Sequence, residues 1–274
     1  VGRERRRRSG RHAGQIWLYA FCGGPCAVAG GARPVSGAVW GTEARFAVYY
    51  APSRESAWWQ AGSAWLARDA ESGEPCISPQ PEGLARPLAD LTEAPRRYGW
   101  HGTLVAPFHL AEGVTQQNLL DAAREWAGAQ SRFALPVEAA TLGDFVALRP
   151  ADPDGEANMR RLASSALQTL DALRARPSAS ALARRLAAPL SERQRALLIE
   201  WGYPYVFDEF RFHMTLSSSL ADAAERATLV AWWQARTAVL GPLTIDHAAL
   251  FVEPAPGEPF VLWQRVPFQT REAK

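Results

Sequence analysis

Two short stretches hold the residues best suited to chemistry. Tyr98-Gly99-Trp100-His101-Gly102-Thr103-Leu104 is echoed by Phe210-Arg211-Phe212-His213-Met214-Thr215-Leu216, each reading aromatic, any residue, aromatic, His, any residue, Thr, Leu. On a β-strand, side chains two apart share a face, so each stretch would present an imidazole beside a hydroxyl. Imidazole is the side chain whose ordinary pKa lies nearest neutrality, so a pair can divide the work of base and acid at pH 7. With one phosphorus between them, one His would take a proton from water and the other would give one to the departing alkoxide. The Thr103 and Thr215 hydroxyls would donate hydrogen bonds to the non-bridging oxygens, where charge grows in the transition state. The two motifs are equivalent on paper, so His101 and His213 are not yet distinguishable as base and acid. Arg211, two residues before His213, would share its face; it is a candidate phosphate contact and equally a candidate salt-bridged rim residue.

The paired pattern resembles the 2H phosphoesterase family, named for two H-x-[ST]-hydrophobic motifs, which includes cyclic nucleotide phosphodiesterases and 2′-5′ RNA ligase-like proteins. The runs Tyr98 to Phe108 and Gly202 to Leu216 look more narrowly like an uncharacterised branch often encoded beside phosphonate-utilisation genes. The likeness covers about residues 45 to 268. That branch commonly continues its second motif with Gly-Arg, where this chain has Ser218-Ser219. The resemblance implies a bilobal α+β protein with a central cleft, and metal-independent hydrolysis of a small cyclic nucleotide or sugar phosphate without a cofactor.

Composition narrows the alternatives. A chain of 274 residues, 47% hydrophobic, is long enough to bury a sizeable core, and no apolar run approaches a membrane span. Net charge is only +2, too mild to announce nucleic-acid binding, so extended RNA is a less favoured partner than a small phosphate ester. Lys274 is the only lysine among 30 basic Lys and Arg residues, a genome-like bias that discourages reading each Arg as a selected phosphate ligand. Cys22, Cys26 and Cys76 form neither a disulfide framework nor a zinc spacing, which fits a reducing cytoplasm.

The elements that must position the motifs follow from periodicity and punctuation. Residues 1–42, opening with Gly2-Arg3-Glu4-Arg5-Arg6-Arg7-Arg8, are unlike the rest. They are expected to be a disordered or spurious extension, with a signal peptide as the alternative. Residues 43–274 then form one bilobal domain, with lobes at about 45–142 and 143–268. The first half reads as a strand over Arg45–Tyr50, a Trp-rich helix capped by Ser53 or Ser56, the motif strand Tyr98–Pro107, a helix over Thr115–Ala129 and a strand over Phe133–Ala139. The second half repeats that order: a strand at Phe145–Leu148, a helix over Met159–Leu173, the motif strand Glu209–Ser217, a helix over Ala221–Val239 and a strand at Leu243–Val252. A helical insertion occupies 177–199 and a last strand spans Pro259–Val266. Such a duplication predicts an α+β fold of two antiparallel-dominated sheets facing each other, helices outside.

Strand alternation places Tyr98, Trp100, Phe210 and Phe212 opposite the histidines, in the core. A base-stacking surface would then come from elsewhere, Tyr49 or Tyr203 being the options. Asp246-His247 should not form a dyad, since strand neighbours point apart, and His109 and His247 read as bystanders. A metal held by His101 and His213 with Asp208 or Glu209 lacks a tight ligand cluster in the sequence. Two rivals remain: a non-catalytic binder of a nucleotide or phosphonate metabolite, and an RNA end-processing or ligase-like enzyme. The protein is expected to act as a cytoplasmic monomer.

Overall fold

The computed structural model describes residues 39–269, so residues 1–38 of the expected extension lie outside it. The elements run β1 Arg45–Tyr50, α1 Ala57–Trp65, α2 Leu88–Leu91, α3 Glu93–Tyr98, β2 Gly102–Phe108 and α4 Gln116–Gly128. They continue with β3 Phe133–Leu135, β4 Val137–Leu142, β5 Phe145–Pro150, α5 Pro153–Leu170, α6 Ala179–Leu186 and α7 Glu192–Trp201. The chain closes with β6 Met214–Thr215, α8 Ala223–Leu240, β7 Leu243–Ile245, β8 His247–Glu253 and β9 Val261–Pro267. Among the described residues no helix is long and apolar enough to cross a membrane.

Local chemistry accounts for most boundaries. Ser56 starts α1 by accepting from Trp59 N–H; Thr115 with Asn118, and Ser191 with Gln194, form reciprocal capping boxes on α4 and α7. Asp152 caps α5 from ahead of Pro153, six residues before the periodic run that marks this helix in the sequence. Pro136 divides the expected 133–139 strand into β3 and β4, and Gly241, at φ 70°, ends α8.

The α+β class holds, the sheets are antiparallel, and the strands of the two halves are joined. Seven strands join in the order β4-β5-β6-β2-β1-β8-β9, and β3 pairs with β7 in a small second sheet. The reason is the direct pairing of the motif strands, Gly102 opposite Met214. If β1, β2, β4 of the first half correspond to β5, β6, β8 of the second, the first six strands of this order read the same from either end. The duplication is therefore real in the sheet, and each half lends its last strand to the other: β4 pairs with β5, and β8 pairs with β1. The core is one continuous apolar cluster drawing on both halves. Within it Trp58, Trp65 and Trp100 gather around Trp233 of α8, with Trp100 and Trp233 stacked at 5.4 Å.

Candidate active site

Both motifs alternate around the histidine as strands should. Trp100, Gly102, Leu104, Phe212, Met214 and Leu216 are buried, while His101, Thr103, His213 and Thr215 are all half-buried on the other face. Gly102 pairs directly with Met214, so the residue that follows each histidine is in register with the other. The two motifs therefore meet at this junction, and charge on His213 is felt at His101. The residue between His and Thr makes this possible. A Cβ on Gly102 would lie 2.4 Å from the Phe212 ring and 3.2 Å from Met214, so a large residue in the second motif requires a small one in the first.

Each ring is oriented by the same device. His101 Nδ1 donates to the Gly99 carbonyl at 2.9 Å, and His213 Nδ1 donates to the Arg211 carbonyl at 2.9 Å. A carbonyl only accepts, so Nδ1 carries the proton and Nε2 is left to face the open side. Thr103 Oγ1 lies 3.3 Å from His101 Nε2. Gly99 reaches its place with φ 78°, turning the chain sharply out of α3 and into β2; a Cβ there would also meet Ala70 Cβ at 2.4 Å.

Burial holds the His101 imidazole down at about 4; the Gly99 hydrogen bond opposes this, and charge on His213 lowers it further. His213 is lowered too, again by burial against its carbonyl hydrogen bond. Charge on the His213 ring thus disfavours protonating His101. Their immediate packing differs. Tyr49, opposite Thr103 on β1, stacks beneath His101 at 3.8 Å between centroids and 24° between planes. On β5 the residue opposite Thr215 is Ala147, and His213 has only a tilted Phe145 at 5.7 Å.

Several expectations fail where the strand pattern was carried too far. The first motif strand begins at Gly102, since Tyr98 ends α3; freed from alternation, its ring comes within 6.2 Å of His101 instead of pointing to the opposite face. The second motif strand shrinks to Met214–Thr215, because Phe207–Glu209 form a 3-10 turn and residues 210–213 are irregular. Arg211 stays exposed between buried Phe210 and Phe212; its guanidinium donates to the Asp208 and Phe210 carbonyls, and its own carbonyl orients His213. Asp246 and His247 do meet, Oδ1 to Nδ1 at 2.6 Å, because Asp246 sits in the break between β7 and β8. His247 Nε2 lies 2.6 Å from the Ala51 carbonyl, so both ring nitrogens are occupied in tying β8 to the end of β1. Asp208 pairs with Arg193 and Glu209 accepts from Gln194, and among the described residues no group of three or more His, Cys, Asp or Glu could hold a metal ion.

The serines after the second motif tie the two motifs together. Val146 N–H donates to Ser217 Oγ, Ser218 N–H donates to the Leu91 carbonyl, and Ser218 Oγ accepts from Ala94 N–H in the first turn of α3, the helix that leads into His101. Trp65 Nε1 of α1 reaches the Leu216 carbonyl at 2.7 Å from the buried side. No motif marks these contacts in the sequence.

The family described as "Protein of unknown function (DUF1045)" matches residues 103–261, from Thr103 through the second motif to β9. The chain belongs to the DUF1045 family. Among curated proteins, this DUF1045 chain is 42% identical over 232 residues to a protein of Janthinobacterium sp. (strain Marseille) named ribose 1,5-bisphosphate phosphokinase PhnN, covering 82% of the chain and 51% of that protein. A protein of the same name from Laribacter hongkongensis (strain HLHK9) is 42% identical over 226 residues, covering 81% and 51%. The DUF1045 chain thus spans about half the length of the curated relatives it matches. A solved structure described as a phosphoesterase aligns over 82% of the chain and 98% of its own length, with TM-score 0.35 and 14% identity.

Proposed function

We infer that this protein hydrolyses a small cyclic phosphate, of a sugar or a nucleotide, by proton transfer between His101 and His213. The single observation that carries the reading is the meeting of the two motifs. Two half-buried imidazoles, each one residue before a position of the Gly102–Met214 pair, have their Nδ1 protons fixed on backbone carbonyls, and the Thr103 hydroxyl lies beside His101 Nε2. A phosphodiester lodged between the rings would meet one Nε2 on each side. The neutral ring accepts a proton from the attacking water. The other ring, charged when the anionic ester offsets the cost of burial, gives its proton to the leaving oxygen. The Thr103 and Thr215 hydroxyls donate to the non-bridging oxygens. A cyclic ester suits this set because water is the nucleophile and the leaving oxygen stays attached to the product. None of these steps needs a metal.

The motif resemblance to 2H phosphoesterases supports the reaction class, and the relatives' name supports a ribose phosphate as the carbon frame and a setting in phosphonate metabolism. The phosphokinase activity in that name fits this region poorly. A Walker-type phosphate loop needs a Gly-Lys pair, and the only lysine here is Lys274, preceded by Ala273. The matched half of those relatives would then do a different job from the one they are named for.

Purified protein incubated with ribose cyclic phosphates and 2′,3′-cyclic nucleotides in EDTA should turn over one class. His101→Ala and His213→Ala should each lose about 10²- to 10⁴-fold. Full rate in either single variant would end the proposal. Tight binding with the ligand recovered intact would favour a non-catalytic binder.

A further inference from the structure

The two histidines are anchored alike and packed differently. Each Nδ1 donates to the carbonyl of the residue two before it, a bond that pins one atom of the ring and leaves the imidazole free to swing about it. His101 has a second restraint. Tyr49 lies against it face to face, 3.8 Å between centroids and 24° between planes, so turning the imidazole edge-on would drive it into the phenol ring. Among the described residues His213 has no stacked ring. Phe145 stands tilted by 53° at 5.7 Å, and opposite Thr215 on β5, where Tyr49 stands opposite Thr103 on β1, the chain has Ala147.

Tyr49 is itself firmly seated. Its backbone lies between two paired strands, opposite Thr103 of β2 and Ala249 of β8. Phe251 packs against its ring at 5.0 Å and Phe260 at 6.3 Å, and the residue is 1% exposed. Phe251 also lies 6.0 Å from the His101 ring, so the same aromatic group backs both members of the stack. A residue held this way can act as a stop for the imidazole. The working atom of that imidazole is Nε2, 3.3 Å from Thr103 Oγ1, and a swing of the ring about its pinned Nδ1 would carry Nε2 out of line with a bound phosphorus.

We propose that Tyr49 is a positioning residue for His101: its ring fixes the plane of the imidazole and so aims Nε2 at the phosphoryl group, beside the Thr103 hydroxyl. His101 is then the more tightly held member of the pair. This rests on the hydrolytic reading above and adds to it a residue that acts through the imidazole and touches no reacting atom.

Three variants separate the flat face from the hydroxyl and from bulk. Tyr49→Phe keeps the face, Tyr49→Leu keeps much of the volume without it, and Tyr49→Ala installs the residue found at the matching place beside the second motif. On the cyclic phosphate that wild type hydrolyses best, Tyr49→Phe should stay within about twofold of the wild-type kcat, the conservative variant thus restoring what the others lose. Tyr49→Leu and Tyr49→Ala should each lose about 10- to 100-fold in kcat with KM changed by less than about threefold, since the substrate still binds and Nε2 no longer meets it squarely. Tyr49→Leu serves alone if the Ala variant does not fold. Nitrogen NMR of the His101 ring at neutral pH reads the same restraint without turnover. Wild type and Tyr49→Phe should show one tautomer, protonated on Nδ1, and Tyr49→Leu a mixture of two. A kcat in Tyr49→Phe as low as in Tyr49→Leu, a wild-type kcat in folded Tyr49→Leu, or a single unchanged tautomer in that variant overturns the proposal. If wild type hydrolyses no cyclic phosphate, the hydrolytic reading fails separately, and the tautomer comparison decides the role of Tyr49 by itself.

Discussion

Gly62→Ala tests how tightly the buried side of the site is built. Gly62 lies in the interior of α1, where helix propensity alone predicts that alanine stabilises by about 1 kcal/mol. The packing predicts the opposite sign. A Cβ at Gly62 would fall 2.1 to 2.3 Å from three atoms of the Trp100 ring, so one partner must retreat by more than 1 Å to reach ordinary contact. Trp100 has no free direction, being fully buried and stacked on Trp233. Overpacking of this kind costs about 1–3 kcal/mol or more, which outweighs the propensity gain. For a domain of this size each kcal/mol moves Tm by roughly 2–4 °C, so a net loss of about 2 kcal/mol lowers Tm by about 4–8 °C. Trp100 immediately precedes His101, and a displacement near 1 Å at a reacting group can cost about 10²-fold in rate. Thermal melting followed by circular dichroism, alongside kcat/KM on the best cyclic phosphate, measures both effects. A Tm equal to or above wild type refutes the reasoning, because the tryptophan would then have room the structure denies it. Trp100→Phe in the Gly62→Ala background should recover part of the lost stability.

The remaining expectations concern charge and hydrogen bonding. The folded His101 pKa of about 4 lies below its ordinary 6.5, so the unfolded chain binds the proton first as pH falls. The stabilisation is complete above 6.5 and is lost as pH drops from there toward 4; urea midpoints at pH 7 and pH 5 should show that direction, and a midpoint that rises on acidification contradicts it. Because both imidazoles are lowered, kcat/KM, which reports the free enzyme, should peak below pH 6.5, and a peak above pH 8 would rule out a protonated member of this pair as the acid. Glu253→Gln leaves Arg45 and Arg97 facing each other without their shared anion. The loss should approach the lower end of about 3–5 kcal/mol, since both guanidiniums keep some contact with water, and denaturant unfolding will detect it. Trp65→Phe strands the buried Leu216 carbonyl at a cost of about 1–3 kcal/mol, and a variant as stable as wild type would show that bond to be idle.

What the sequence revealed and what it hid follow from where local rules apply. The His-x-Thr repeat, the strand at Arg45–Tyr50 and the caps at Ser56, Thr115 and Ser191 are legible because period, capping and turn chemistry act over a few residues. Tyr98 departs from expectation because alternation does not pass Gly99 at φ 78°, and the second motif strand starts late because of the 3-10 turn at Phe207–Glu209. The start of α5 was visible only in Asp152-Pro153, a cap signal with no apolar period beside it. The joining of both halves into one sheet, the Arg45–Glu253–Arg97 triad and the serine ties after Leu216 unite residues far apart in the chain, and no local pattern announces such partners. Duplication was legible as element order; the exchange of last strands was not.

That exchange limits how the protein can move. Interlaced strands shared between the two repeats leave no linker to act as a hinge, and opening the molecule along its middle would tear backbone pairings on both flanks at once. The spacing of the two imidazoles is fixed by the folded sheet before anything binds.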